Sequence, residues 1–144
     1  MKRIMPDTNV YGKLITEPNI VDIMREFNER GLMIFYGTRL IRKEIREISP
    51  EQTYEDKKLR ILILNLYDSL IKKENHNLKI TELIETIASR YFETYKKFGG
   101  NLSFKDLHND FLIVACASLH FLDIVVSHDL KTMLGEKAIK IVYA

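Results

Sequence analysis

SFKDLHNDFLIVACASLHFLDIVVS, residues 103–127, changes character once along its length. Ser103 with Asp106 three residues on resembles a capping box, with Asp in the usual Glu place. It opens an apolar helix that runs through Phe121. Asp123-Ile124-Val125-Val126-Ser127 then reads as a buried, β-branched strand. A long apolar helix feeding a short apolar strand is the repeating half of an α/β fold.

On either side of this stretch, the same alternation recurs. Upstream, Gly99-Gly100 stops a helix whose face carries Ile80, Leu83, Ile84, Ile87, Tyr91 and Tyr95. Before it, Leu59, Leu62, Ile63, Leu66 and Leu70 share one face of another helix. Thr38 caps a helix carrying Leu40, Ile41, Ile45 and Ile48, ended by Ser49-Pro50. Leu32 to Tyr36 is a short apolar run closed by Gly37, the mark of a buried strand. Ile20, Ile23, Met24 and Phe27 repeat at helical spacing up to Gly31. Lys2 to Met5 forms a strand ending at Pro6, followed by the turn and cap formers Asp7-Thr8-Asn9. Downstream, Ile139 to Tyr143 reads as a last strand. The sum predicts one domain over residues 1–144, a three-layer α/β/α sandwich with a mainly parallel sheet.

Composition narrows the function classes. At 46% hydrophobic residues the chain has enough apolar side chains for a core, which excludes a disordered segment. The longest apolar run, Phe111 to Ala117, is far short of the ~20 residues that a membrane helix needs. No apolar signal segment follows Lys2-Arg3, so a cytoplasmic protein without membrane attachment is expected. The single cysteine, Cys116, excludes an intramolecular disulfide and a cysteine-rich zinc site. Twenty-two basic against 20 acidic residues leave a net charge of +2, too near neutral to announce a nucleic-acid partner.

Where the acids fall is more informative. In parallel α/β folds, ligands bind outside the carboxyl ends of the strands. Asp7 stands just past the first strand and Asp129 just past the strand ending at Val126. Glu44 lies in the helix after the second strand, with Glu47 one turn on. Asp110 heads the run Phe111 to Ala115, so its carboxylate is expected at or near a buried end, where isolated carboxylates are rare. Taken singly, each has a duller explanation: an Asx-turn at Asp7, a dipole-favoured acid at Asp110, turn chemistry at Asp129, a solvated face at Glu44.

Asp-Thr-Asn-Val at 7–10, Lys-Glu-Ile at 43–45, Asn-Asp-Phe-Leu-Ile-Val-Ala at 109–115 and Ser-His-Asp at 127–129 resemble, in order and context, the four acidic motifs of PIN-domain nucleases. The resemblance spans nearly the whole chain and implies a PIN-like fold and a Mg²⁺- or Mn²⁺-dependent endoribonuclease. It implies that Asp7, Glu44, Asp110 and Asp129 form the catalytic quartet, with Asp7, Asp110 and Asp129 as the metal ligands. Glu44 would orient the attacking water or hold a second metal through water. Thr8, Asn9 and Ser127 match positions that steady the acids. Many members of this size are VapC-type toxins, which implies a small antitoxin protein as partner, a homodimer, and RNA as substrate. Pro6 and His128 depart from the commoner family residues, and Glu47 competes with Glu44 for the second acidic position.

The chemistry suits these residue types. Mg²⁺ takes oxygen ligands, usually one or two carboxylates with waters and substrate phosphate. Two carboxylates ~4 Å apart repel by about 4 kcal/mol at an effective dielectric of 20, so a converging quartet calls for a cation. Arg39, Arg42, Lys43 and Arg46 crowd one helix near Glu44, and Lys131 follows Asp129; Arg39, Arg42, Lys43 and Lys131 are the candidate phosphate contacts. A non-catalytic PIN-like domain that binds RNA or protein is the alternative. A receiver wants paired acids after the first strand, a phosphatase Asp-x-Asp, and a P-loop its Gly-Lys signature; none is present. His76, His108, His120 and His128 show no metal-binding pair at i, i+4, and Ser127 has no triad partners in context.

Overall fold

Lys2–Pro6 forms the first strand and takes the middle of a parallel sheet, bonded by a neighbour on each side. The computed structural model of the chain describes residues 1–128. In chain order the elements are β1 (Lys2–Pro6), α1 (Thr8–Ile15), α2 (Pro18–Glu29), β2 (Met33–Phe35) and β3 (Gly37–Thr38). Then come α3 (Arg39–Arg46), β4 (Thr53–Tyr54), β5 (Lys57–Lys58), α4 (Leu59–Leu70), a 3₁₀ turn (Glu74–His76) and β6 (Asn77–Leu78). The described part closes with α5 (Glu82–Lys97), α6 (Phe104–Leu119) and β7 (Ile124–Val126).

The sheet order is β2-β1-β7, parallel throughout, with Ile4 opposite both Phe35 and Ile124. A second parallel pair joins β3 to β6, and β4 with β5 makes a small antiparallel hairpin. The chain is therefore an α/β protein with a small, mostly parallel sheet. Pro6 is tolerated in a central strand for a local reason. Lys2 donates to the Leu32 carbonyl and Asp7 to the Val126 carbonyl, so alternate residues of β1 serve alternate neighbours. The missing N–H of Pro6 falls on the β2 side, past the last residue of that strand.

Caps fix the helices where the sequence predicts them. Ser103 and Asp106 form the reciprocal capping box at the start of α6. Thr38 accepts from the Ile41 N–H at 2.9 Å to open α3; Thr81, a cap the sequence reading does not include, accepts from the Ile84 N–H to open α5. α6 buries Leu107, Phe111, Leu112, Ile113, Ala115, Cys116 and Ala117, and packs chiefly on α5. The core is one continuous cluster, with Met5, Tyr11, Ile41, Ile45, Tyr67 and Ile84 fully enclosed. The Tyr67 hydroxyl donates to the Thr38 carbonyl at 3.1 Å and meets the Asn77 side chain, tying α4 to β3 and β6. A Cβ on Gly37 would overlap the Tyr67 ring, so only glycine fits there.

Four features differ from the sequence expectation. α1 begins within the turn and cap formers Asp7-Thr8-Asn9 and runs to Ile15, where the sequence predicts no helix; it is short, and Thr, Asn, Val, Tyr and Gly are poor helix formers. Burial of Val10, Tyr11 and Leu14 overrides that propensity. The β4–β5 hairpin turns on Glu55 and Asp56, both at positive φ, without the usual Asn-Gly signal. The strand at 124–126 is not buried: Ile124 and Val126 are exposed, because β7 is an end strand among the described residues. Asp110 lies in the second turn of α6, not at its start, where Asp106 stands. The strand predicted at 139–143 lies outside the described residues. No described helix is long and apolar enough to cross a membrane.

Candidate acidic site

Asp7 is positioned by the edge at which two parallel strands end. It follows β1 directly, while Ser127 follows β7, its neighbour in the sheet. The Ser127 hydroxyl donates to Asp7 Oδ2 at 3.2 Å, and the Thr8 N–H donates to Asp7 Oδ1 at 2.7 Å. Asp7 is thereby the N-cap of α1, and its side chain is 5% exposed, the one buried acid among the described residues. Asn9 Oδ1 accepts from the His128 N–H at 3.1 Å, a second tie between the segments that follow the two strands. The structure gives Asp7 a local role, as the cap of α1, in place of the Asx-turn that is its duller reading.

Glu44 and Asp110 reach the same place from two other elements. α3 packs on α1, α4 and α6, which turns Glu44 inward from its sixth position. Asp110 is half-buried on α6. Asp7, Glu44 and Asp110 line one cavity of about 370 Å³, together with Thr8, Asn9, Gly12, Ile48, Leu59 and Ile63. The cavity lies off the carboxyl end of β1, where parallel sheets hold ligands.

The three acids interact electrostatically. Burial, then the negative charge of Asp7, push the Glu44 carboxyl up to about 7 from 4.5, with Asp110 and Glu47 adding to the rise. The Thr8 hydroxyl is near enough to favour the ionised form but lies outside hydrogen-bond geometry. Glu44 Oε1 is closed off from solvent and accepts no hydrogen bond among the described residues. A buried carboxylate oxygen without a donor, in a pocket of other carboxylates, wants a positive counter-charge.

That orphaned oxygen and the all-oxygen donor set fit a hard divalent cation of the Mg²⁺ or Mn²⁺ type. Asp7 and Asp110 are the described residues suited to hold it, with Glu44 adjacent. Among the described residues, no three of His, Cys, Asp or Glu stand close enough together to form a ready-made metal cage. Mg²⁺ needs only one or two carboxylates when waters and phosphate complete its shell.

The other sequence candidates divide sharply. Glu44, and not Glu47, lines the cavity; Glu47 is exposed and lies 3.8 Å from Lys43. Among the described residues, the predicted basic contacts Arg39, Arg42 and Lys43 do not line the acids' cavity. Arg42 forms a bidentate pair with Asp68 on α4, at 3.0 and 3.1 Å. Lys43 faces Glu47, and Arg39 lines a different, larger cavity of about 800 Å³. One helix turns its cations in several directions, and their sequence proximity to Glu44 carries no information about direction. Asp129 and Lys131 lie outside the described residues.

Gly12, Ile48, Leu59 and Ile63 shape the cavity but carry no functional signal in the sequence. Ile48, Leu59 and Ile63 appear there as ordinary core positions, and Gly12 is silent because α1 itself is not legible. No family model, curated protein or solved structure matches the chain.

Proposed function

We propose that the chain is a metal-dependent endoribonuclease of the PIN type, a three-layer α/β/α domain hydrolysing RNA phosphodiester bonds. The observation that carries this is the convergence of Asp7, Glu44 and Asp110, from three separate elements, on one cavity beside the ends of parallel strands. When bound, Mg²⁺ or Mn²⁺ supplies activation of water and neutralises charge on the phosphate. Asp7 and Asp110, together with Asp129, would hold the cation. Ser127 and the Thr8 N–H fix the rotamer of Asp7. Glu44, enclosed in the same cavity, would orient the attacking water or accept its proton. The same resemblance makes a small antitoxin protein and a second copy of the chain the expected partners.

The alternative reading is a non-catalytic RNA- or protein-binding domain. Cleavage decides between the two. Wild-type protein, Asp7→Asn and Asp110→Asn are incubated with single-stranded RNAs, with Mn²⁺ or with chelator. Asn serves as an N-cap as well as Asp, so Asp7→Asn retains the start of α1. Cleavage by the wild type alone, abolished by chelator, is expected. Cleavage that survives both substitutions and chelation refutes the proposal, and absence of cleavage with intact RNA binding favours the alternative.

A further inference from the structure

The cavity of about 800 Å³ shares no lining residue with the acidic one. Arg39, Lys73 and Lys79 bring three cations to it, against the single acid Glu74. None of the three cations makes an ion pair among the described residues, whereas Arg42 on the same helix is committed to Asp68. Two helices begin at its wall: Arg39 is the first residue of α3, and Thr81 is the N-cap of α5. Their positive dipole ends add to the field of the cations. Asn75 and Asn77 supply amide donors beside them.

We propose that this cavity is a binding site for a phosphate group, carried either by a small nucleotide or by the backbone of a nucleic-acid strand. Uncompensated cations, helix N-termini and amide donors facing one concavity are the combination that recognises phosphate oxygens. His76, between the lining residues Asn75 and Asn77, supplies a reporter beside the cavity; its ring meets Tyr36 at 4.4 Å in a tilted arrangement, with Arg3 over the Tyr36 ring at 5.0 Å. Burial, then Lys73 and Arg3, hold His76 below the usual histidine range. This phosphate site requires nothing of the acidic cavity, so cleavage and phosphate binding succeed or fail separately.

The test uses the full chain with chelator present, so that no cleavage intervenes. Inorganic phosphate, 5′-AMP and a short oligouridylate are titrated while the His76 ring is followed by NMR, and affinities are measured at several salt concentrations. Bound phosphate is expected to raise the His76 pKa, and Lys73→Gln/Lys79→Gln to weaken binding about tenfold. For the oligouridylate the double variant also flattens the log–log salt slope, by about 0.7 for each strand phosphate it no longer neutralises. Both lysines are exposed, so an unchanged melting temperature verifies that the variant is folded. Binding of 5′-AMP with a His76 shift assigns a nucleotide site, and binding of the oligouridylate alone assigns a strand site. Absence of binding by every probe, or binding undiminished in the double variant, overturns the proposal.

Discussion

Replacing Glu44 by Gln is expected to stabilise the metal-free protein, the reverse of the usual effect of mutating an enclosed residue. Burial, then Asp7, Asp110 and Glu47, hold the Glu44 carboxyl at about 7 in the folded state, against 4.5 when exposed. The folded chain thus keeps this proton over a pH range in which the unfolded chain has released it. Stability falls as pH rises from about 4.5, and the full cost is present above about 7. At roughly 1.36 kcal/mol per pH unit, the whole gap corresponds to ~3 kcal/mol. Glu44 is only half-buried, and solvent screening brings the expected cost down to about 1–2 kcal/mol. The neutral isostere Gln escapes that cost, so its melting point should stand about 3–6 °C above wild type near pH 8 in chelator. Near pH 4 both side chains are neutral and the two melting curves should coincide. Mn²⁺ should then reverse the order, because the wild type has the negative charge that a cation stabilises. Thermal melts of both proteins at the two pH values, with chelator and with Mn²⁺, measure all of this. A variant no more stable than wild type near pH 8 without metal would refute the claim that the three acids repel one another in one cavity.

Other outcomes follow from the core. Tyr67→Phe removes the buried bond to the Thr38 carbonyl and the contact with Asn77, and should cost about 1–2 kcal/mol in urea unfolding. A loss below ~0.5 kcal/mol would show that the hydroxyl contributes nothing to holding β3 and β6 against α4. Cys116 is fully enclosed and burial pushes its thiol up to about 11, so a disulfide reagent near pH 8 should modify it only as fast as the protein opens. Stoichiometric reaction at the rate of a free thiol, in the absence of denaturant, would contradict that burial. Ser103→Ala breaks the capping box and should cost about 1 kcal/mol by the same urea assay, with α6 otherwise retained.

The features that the amino-acid order decides unaided are local ones. The cap and the apolar period at 103–119, the Thr38 cap and the short apolar strands reveal themselves because one residue and its third or fourth neighbour suffice to set them. Asp7 is legible as a residue following a parallel strand, since strand ends and sheet edges coincide in that fold, whereas Ser127 reads as the last residue of its strand and the structure places it just beyond. α1 is not legible, because its helicity comes from burying Val10, Tyr11 and Leu14 against partners distant in sequence. Nor is the direction of the cations on α3. Arg39, Arg42 and Lys43 are near neighbours in sequence, yet one lines a second cavity, one is bound by Asp68 of α4 and one meets Glu47. A helix repeats every 3.6 residues, so adjacent side chains point far apart, and only the packing of α3 on α1, α4 and α6 decides what each one faces. The same packing brings Glu44, and not Glu47, to the cavity of Asp7 and Asp110. The sequence named the acids; their meeting is a property of the tertiary structure, because only there do residues from β1's end, α3 and α6 share one volume.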